Sequence, residues 1–173
     1  AEDALIVGGA LIAILNNADR VKTACLAQLV NVIGPIMTET GGAAWRQTIF
    51  HPFALASKYG HGRVLRTVAD SPSYSAKTFP EIPYLYATVI DNPADGTTTV
   101  IALNRSLSDN LEVDIELRGL GAERSLVAAT EIHHANLKAV NTKDAPNTVA
   151  PKTNADVAIE GETVRVKLEP ASF

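Results

Sequence analysis

The sequence predicts an α/β unit followed by an all-β region, and three observations carry that reading. From Glu2 to about Leu65 the pattern runs helix, short strand, loop, helix, which is one α-β-α unit of a parallel α/β fold. After Pro72 the texture changes to short alternating strands separated by turn residues, the signature of an antiparallel sandwich or open barrel. Two irregular stretches break the pattern: Tyr74 to Pro83, which reads as the link between the halves, and His134 to Asp156, rich in Asn, Thr, Lys and Pro. A loop as long as the second is uncommon in a compact domain and is either functional or laid across another surface.

Glu2 to Asn17 is apolar on nearly every face, as a buried helix is. Glu2 and Asp3 favour the positive end of its dipole, and Asn16-Asn17-Ala18-Asp19 stops it. Arg20 to Leu29 reads as a buried strand, and Gly34-Pro35 through Gly41-Gly42 as a long turn-rich loop. Ala44 to Tyr59 reads as a second helix. Strands are then predicted over Tyr84 to Asp91, Thr97 to Asn104, Leu111 to Arg118 and Ser125 to His133. Between them lie Asn92-Pro93-Ala94-Asp95-Gly96, Leu107-Ser108-Asp109-Asn110 and Gly119-Leu120-Gly121. Val113, Ile115 and Leu117 alternate with Glu112, Asp114, Glu116 and Arg118, which describes a half-buried strand with one wet face. Val164, Val166 and Leu168 repeat that rhythm.

Composition removes several function classes. A formal charge of -4 with no Lys/Arg run lacks the positive footprint that nucleic acid requires. Cys25 is the sole cysteine and sits in an apolar run, which excludes an internal disulfide framework and favours a buried thiol. The apolar start carries Glu2 and Asp3 where a signal peptide needs basic residues, and it is too short for a membrane span. The cytoplasm is the expected location, with secretion left open. A chain that opens directly in an apolar helix also looks cut from something longer.

If Arg20 to Leu29 is a strand of a β/α barrel, the residues at its C-terminal end face an active site, which singles out Gln28 and Asn31. A carboxamide donates and accepts at once and so suits a sugar hydroxyl, although either amide could equally tie down the following loop. Trp45, the one tryptophan, follows the Gly41-Gly42 loop and could wall a pocket or stack on a sugar ring, or simply pack. Glu39 is the one carboxylate of that loop and cannot by itself supply both nucleophile and acid/base. His133 and His134 are adjacent, so on a strand they point to opposite faces, and His51 and His61 have no matching ligand spacing. No metal site and no cofactor is expected. Asn104-Arg105-Ser106 fits a glycosylation acceptor, or a strand end entering a turn.

The run from Ala24 to Ile33, Ala-Cys-Leu-Ala-Gln-Leu-Val-Asn-Val-Ile, followed by Pro35-Ile36-Met37-Thr38-Glu39, resembles a signature of family 51 α-L-arabinofuranosidases. Trp45-Arg46-Gln47-Thr48-Ile49-Phe50 with Pro52-Phe53 continues it. Glu2-Asp3-Ala4-Leu5, Ala18 to Lys22, Val100 to Arg105 and Leu137 to Thr142 match as well, in the right order. The resemblance implies the last β/α unit of a TIM-type barrel over 1–65 and a C-terminal antiparallel β-sandwich over 66–173. It implies a retaining glycosidase whose two catalytic glutamates lie upstream of Ala1, so that this chain alone carries no catalytic residue and is inactive. Gln28 aligns with a family glutamine that hydrogen-bonds the arabinofuranosyl group; Asn31 and Trp45 match the surrounding motif as pocket walls or supports.

The expected substrates are terminal non-reducing α-L-arabinofuranosyl groups of arabinan, arabinoxylan or arabino-oligosaccharides. The expected partners are the N-terminal remainder of the enzyme and further copies of itself. Family sandwiches commonly end with one more strand after a Ser-Trp or Ser-Phe pair, whereas this sequence stops at Ser172-Phe173. The alternative is a non-catalytic module for carbohydrate binding or oligomerisation. A carbohydrate platform would have to start from Tyr84 and Tyr86, which packing explains more simply.

Overall fold

The computed structural model describes residues 1–120 and 124–173. In chain order the elements are α1 (Glu2–Asn16), β1 (Ile36–Thr38), β2 (Ala44–Arg46), α2 (Phe50–Tyr59), β3 (Arg63–Leu65), β4 (Ser73–Tyr74), β5 (Ile82–Pro83) and β6 (Leu85–Asn92). They continue with β7 (Thr97–Asn104), β8 (Leu111–Glu116), β9 (Thr130–Glu131), β10 (Lys152–Thr153), β11 (Val157–Glu160) and β12 (Thr163–Leu168). Among the described residues these make small antiparallel sheets and two helices. One sheet has the order β3-β6-β7, a second β11-β12-β8, and β1-β2, β4-β5 and β9-β10 are short pairs.

α1 presents a narrow buried face, Ala4, Gly8 and Ile12, at the four-residue spacing that stacks side chains on one side of a helix. It packs on α2, β6 and β7. Glycine at position 8 has a local reason: a Cβ there would lie 2.4 Å from the Phe173 ring. Asn17 ends the helix and donates from Nδ2 to the Ala13 carbonyl at 2.8 Å. Thr88, Val89 and Ile90 are buried in succession, because β6 is sheltered on both faces. β8 instead alternates half-buried and exposed, as predicted for a strand with one wet face. The core joins Ala4 and Ile12 of α1 to Ile90, Ile101, Leu103, Ile132, Val149 and Phe173.

The predicted strand over Arg20 to Leu29 does not form. Residues 21–29 belong to no ladder, and nearly all of them are exposed, Cys25 included. A buried parallel strand exists only through neighbours on both sides. Among the described residues the nearest pairing is a single parallel bridge, Val30 to Ile36. The predicted helix over Ala44 to Tyr59 begins only at Phe50, since Ala44, Trp45 and Arg46 pair with Thr38, Met37 and Ile36 across the Gly41-Gly42 turn. Of Ser125 to His133 only Thr130–Glu131 is strand, and β8 stops at Glu116. Gly119 and Leu120 do turn, with Gly119 at φ +75°; Gly121 lies outside the described residues.

The long 134–156 segment is laid across the first part of the chain. Glu2 donates its backbone N–H to the Leu137 carbonyl at 2.9 Å, and its carboxylate pairs with Lys138. That ammonium, bonded directly to the Glu2 carboxylate, holds the carboxyl below its usual range. Further along, Asn141 is buried and donates to Arg46 O at 3.0 Å and to Val149 O at 2.9 Å, while its Oδ1 accepts from Val149 N–H at 2.8 Å. Lys143 reaches Glu39 at 3.4 Å.

Candidate functional site

The candidate residues lie on one loop and the hairpin it feeds. Asn31 and Val32 both adopt left-handed backbone, at φ +61° and +51°, and so reverse the chain after Val30. Asparagine tolerates that region, whereas a β-branched valine does so only when its surroundings impose it. What imposes it is visible. Asn31 N–H donates to Ile36 O at 2.7 Å and Asn31 O accepts from Gly34 N–H at 2.7 Å. Its Oδ1 accepts the backbone N–H of Thr38 at 2.7 Å, and its Nδ2 lies 3.0 Å from Thr38 Oγ1. Asn31 is therefore tied to its own loop through both side-chain atoms, with one Nδ2 hydrogen left over.

Gln28 is different. It is exposed, its Nε2 donates to Val30 O at 3.1 Å, and its Oε1 has no partner among the described residues. The peptide before it, Ala27-Gln28, is cis. One amide hydrogen fixes the carboxamide plane while the oxygen and the second amide hydrogen stay free, which suits a hydroxyl that both donates and accepts.

Trp45 stands on β2 opposite Met37. It is half-buried, and its indole N–H is sheltered with no acceptor among the described residues, although a buried indole normally finds one. A cleft of about 310 Å³ opens nearby, lined by Asp3, Val32, Ile33, Gln47, Thr48 and Asn141 among others. Gln28, Asn31 and Trp45 are not in its walls, so the structure places the three predicted residues along one loop and hairpin without gathering them round one cavity.

Glu39 is a solvated loop carboxylate paired with Lys143. His51 is buried, with Nε2 lacking a partner among the described residues. Burial, and secondarily the Arg46 guanidinium, hold its imidazole below the ordinary histidine range, partly offset by the Val149 backbone. Among the described residues no cluster of His, Cys, Asp and Glu could hold a metal, and no helix is long and apolar enough to cross a membrane. Asn104 is fully buried, with Nδ2 donating to the carbonyls of Asp109 and Glu169 at 2.9 Å, so in the folded chain it is closed to a glycan. Tyr84 stacks on Tyr74 with ring centroids 5.0 Å apart, and Arg105 lies over Tyr86 at 4.3 Å. Both tyrosines are thus engaged within the chain and offer no open platform.

Sequence reasoning did not single out Thr38 or Asn141. Thr38 becomes important only through register, which brings it back to Asn31. Asn141 lay in the matched run Leu137 to Thr142, yet nothing local marked it as the residue that clamps Arg46.

The family described as Alpha-L-arabinofuranosidase C-terminal domain matches residues 1–172. The intracellular exo-alpha-(1->5)-L-arabinofuranosidase 1 of Bacillus subtilis is 42% identical over 172 residues, covering 99% of this chain and 34% of that protein. The exo-alpha-(1->6)-L-arabinofuranosidase of Bifidobacterium longum is 41% identical over 176 residues, covering 100% and 33%. Among solved structures, a family 51 α-L-arabinofuranosidase from Bifidobacterium longum superposes with a TM-score of 0.91 at 34% identity, covering 98% of this chain and 33% of that one. The family 51 arabinofuranosidase of Xanthomonas axonopodis gives 0.87 at 25% identity, covering 98% and 34%. The chain thus spans about a third of the length of the curated relatives it matches. With its fold shared and its sequence matched from end to end, this chain belongs to the family of α-L-arabinofuranosidase C-terminal domains.

Proposed function

We propose that this chain serves a retaining α-L-arabinofuranosidase that removes terminal non-reducing α-L-arabinofuranosyl groups from arabinan, arabinoxylan or arabino-oligosaccharides. Both catalytic glutamates belong to the part of the enzyme N-terminal to it. The observation that carries the reading is the apolar run on either side of Gln28: residues 21–29 belong to no ladder and nearly all of them are exposed, with Val21 39% and Leu29 66% exposed. Such a segment has the composition of a parallel strand buried on both faces, and its missing neighbours would come from the rest of a barrel. The sheltered Trp45 indole N–H, without an acceptor among the described residues, supports the same reading.

On this proposal residues 1–65 are the last β/α unit of a TIM-type barrel and 66–173 a β-sandwich, the two sharing a sheet because β3 pairs with β6. Gln28 hydrogen-bonds the arabinofuranosyl group, and Asn31 and Trp45 support the pocket. Retention places the upstream carboxyls about 5 Å apart, one attacking the anomeric carbon and the other protonating the leaving oxygen before activating water. The enzyme works in the cytoplasm, in keeping with relatives described as intracellular, and as a homo-oligomer.

Hydrolysis of a chromogenic α-L-arabinofuranoside tests this. The pure chain is expected to be inactive and the complete enzyme active. Gln28→Ala in the complete enzyme should lower kcat/KM by about 10- to 100-fold, the scale of one or two lost hydrogen bonds to a sugar. Turnover by the pure chain would place the carboxylates inside it and overturn the reading.

A further inference from the structure

We infer that Asn31 and Thr38 are positioning residues that hold Gln28 in its substrate-binding orientation, an inference that rests on the reading of Gln28 above. The connection can be followed atom by atom. Gln28 Nε2 donates to the Val30 carbonyl at 3.1 Å, so the plane of the carboxamide is set by where Val30 sits. Val30 lies in an isolated bridge with Ile36. That bridge is closed by Asn31, whose N–H bonds Ile36 O at 2.7 Å. Asn31 is in turn fixed by its side chain on Thr38, through the N–H at 2.7 Å and the hydroxyl at 3.0 Å.

Thr38 belongs to β1, which is registered on β2, so the end of the relay is a paired strand and not a free loop. The Asn31 and Val32 backbone sits at φ +61° and +51°, a conformation a valine does not hold unaided. Release of the Asn31 side chain therefore lets the turn relax, moves the Val30 carbonyl and leaves the exposed Gln28 amide without its reference point. A displacement of this kind costs the bond that Gln28 makes without touching the reacting atoms.

The experiment is a double-mutant cycle in the complete enzyme, read as kcat/KM on a chromogenic arabinofuranoside. Asn31→Ala is expected to lower kcat/KM about tenfold when Gln28 is present, and to have less than a twofold further effect in a Gln28→Ala background. Asn31→Asp, which keeps the acceptor for the Thr38 N–H and hydroxyl, should recover most of the loss. Thr38→Val, which keeps strand shape and the backbone N–H, should lose about threefold; it keeps the test open if Asn31→Ala fails to fold. Equal losses in both backgrounds, or no loss with Asn31→Ala and Thr38→Val, overturn the positioning role while leaving Gln28 in place. A Gln28→Ala enzyme with unaltered kcat/KM overturns the reading of Gln28 itself, and the relay with it.

Discussion

Asn104 ties the end of β7 to the end of β12: Nδ2 faces the carbonyls of Asp109, Leu168 and Glu169, and Oδ1 accepts Ser106 N–H at 2.9 Å. Asn104→Ala takes the partner from those part-buried groups, so a loss of about 1–3 kcal/mol is expected, seen as a lower Tm of the complete enzyme. His51 gives a pH signature of known sign. Its folded-state pKa is depressed, mainly by burial. Its contribution is therefore intact above the unfolded histidine value near 6.5 and is lost as pH falls from there through the folded pKa, since the unfolded chain takes up the proton first. Melting between pH 7.5 and 5.5 should show the native enzyme losing stability at below about 1.4 kcal/mol per pH unit from this group, and His51→Gln losing that component of the slope.

Elements were legible where the chain supplies its own partners. Thr97–Asn104 forms over the predicted residues because β6 lies alongside it and the Asn92 to Gly96 turn joins the two; Gly96 takes φ +71° there. Val164, Val166 and Leu168 likewise fall on β12 beside β8. Arg20 to Leu29 carries an equally good strand composition but meets no ladder among the described residues, and a parallel strand forms only beside neighbours. Trp45 reads as helical in the sequence because the pairing of β1 with β2 is three residues long on each side and leaves no periodicity to read. Gln28 and Asn31 are legible from their place at the end of a strand-like run and from the motif, whereas the register that brings Thr38 back to Asn31 is not. Helix packing makes its own prediction. Gly8→Ala gains about 1 kcal/mol of helix propensity but drives a methyl into the Phe173 ring at 2.4 Å. Overpacking of that kind costs about 1–3 kcal/mol, so the variant should melt lower than the parent, whereas the same change at a solvent-facing helical glycine would melt higher.

At the scale of the molecule, the core is continuous from α1 through β6 and β7 to Phe173, while Val21, Leu29, Val30, Val32 and Ile33 face outward. Soluble monomers seldom tolerate a contiguous patch of that kind. The isolated chain is therefore expected to bind a hydrophobic dye and to elute from a sizing column as aggregates, and a monodisperse monomer with one cooperative melt would count against the placement of this face inside a larger enzyme. The Glu2 to Lys138 contact has a bearing on timing as well. Its partners lie 136 residues apart, so α1 leaves the ribosome well before the segment that will cover its first turn. At about 5–20 residues per second of synthesis, that interval is on the order of ten seconds, very long beside the microseconds in which a helix forms. Through that interval α2, β6 and β7 can already pack on the helix, but its first turn stays open until Leu137 and Lys138 arrive to cover it.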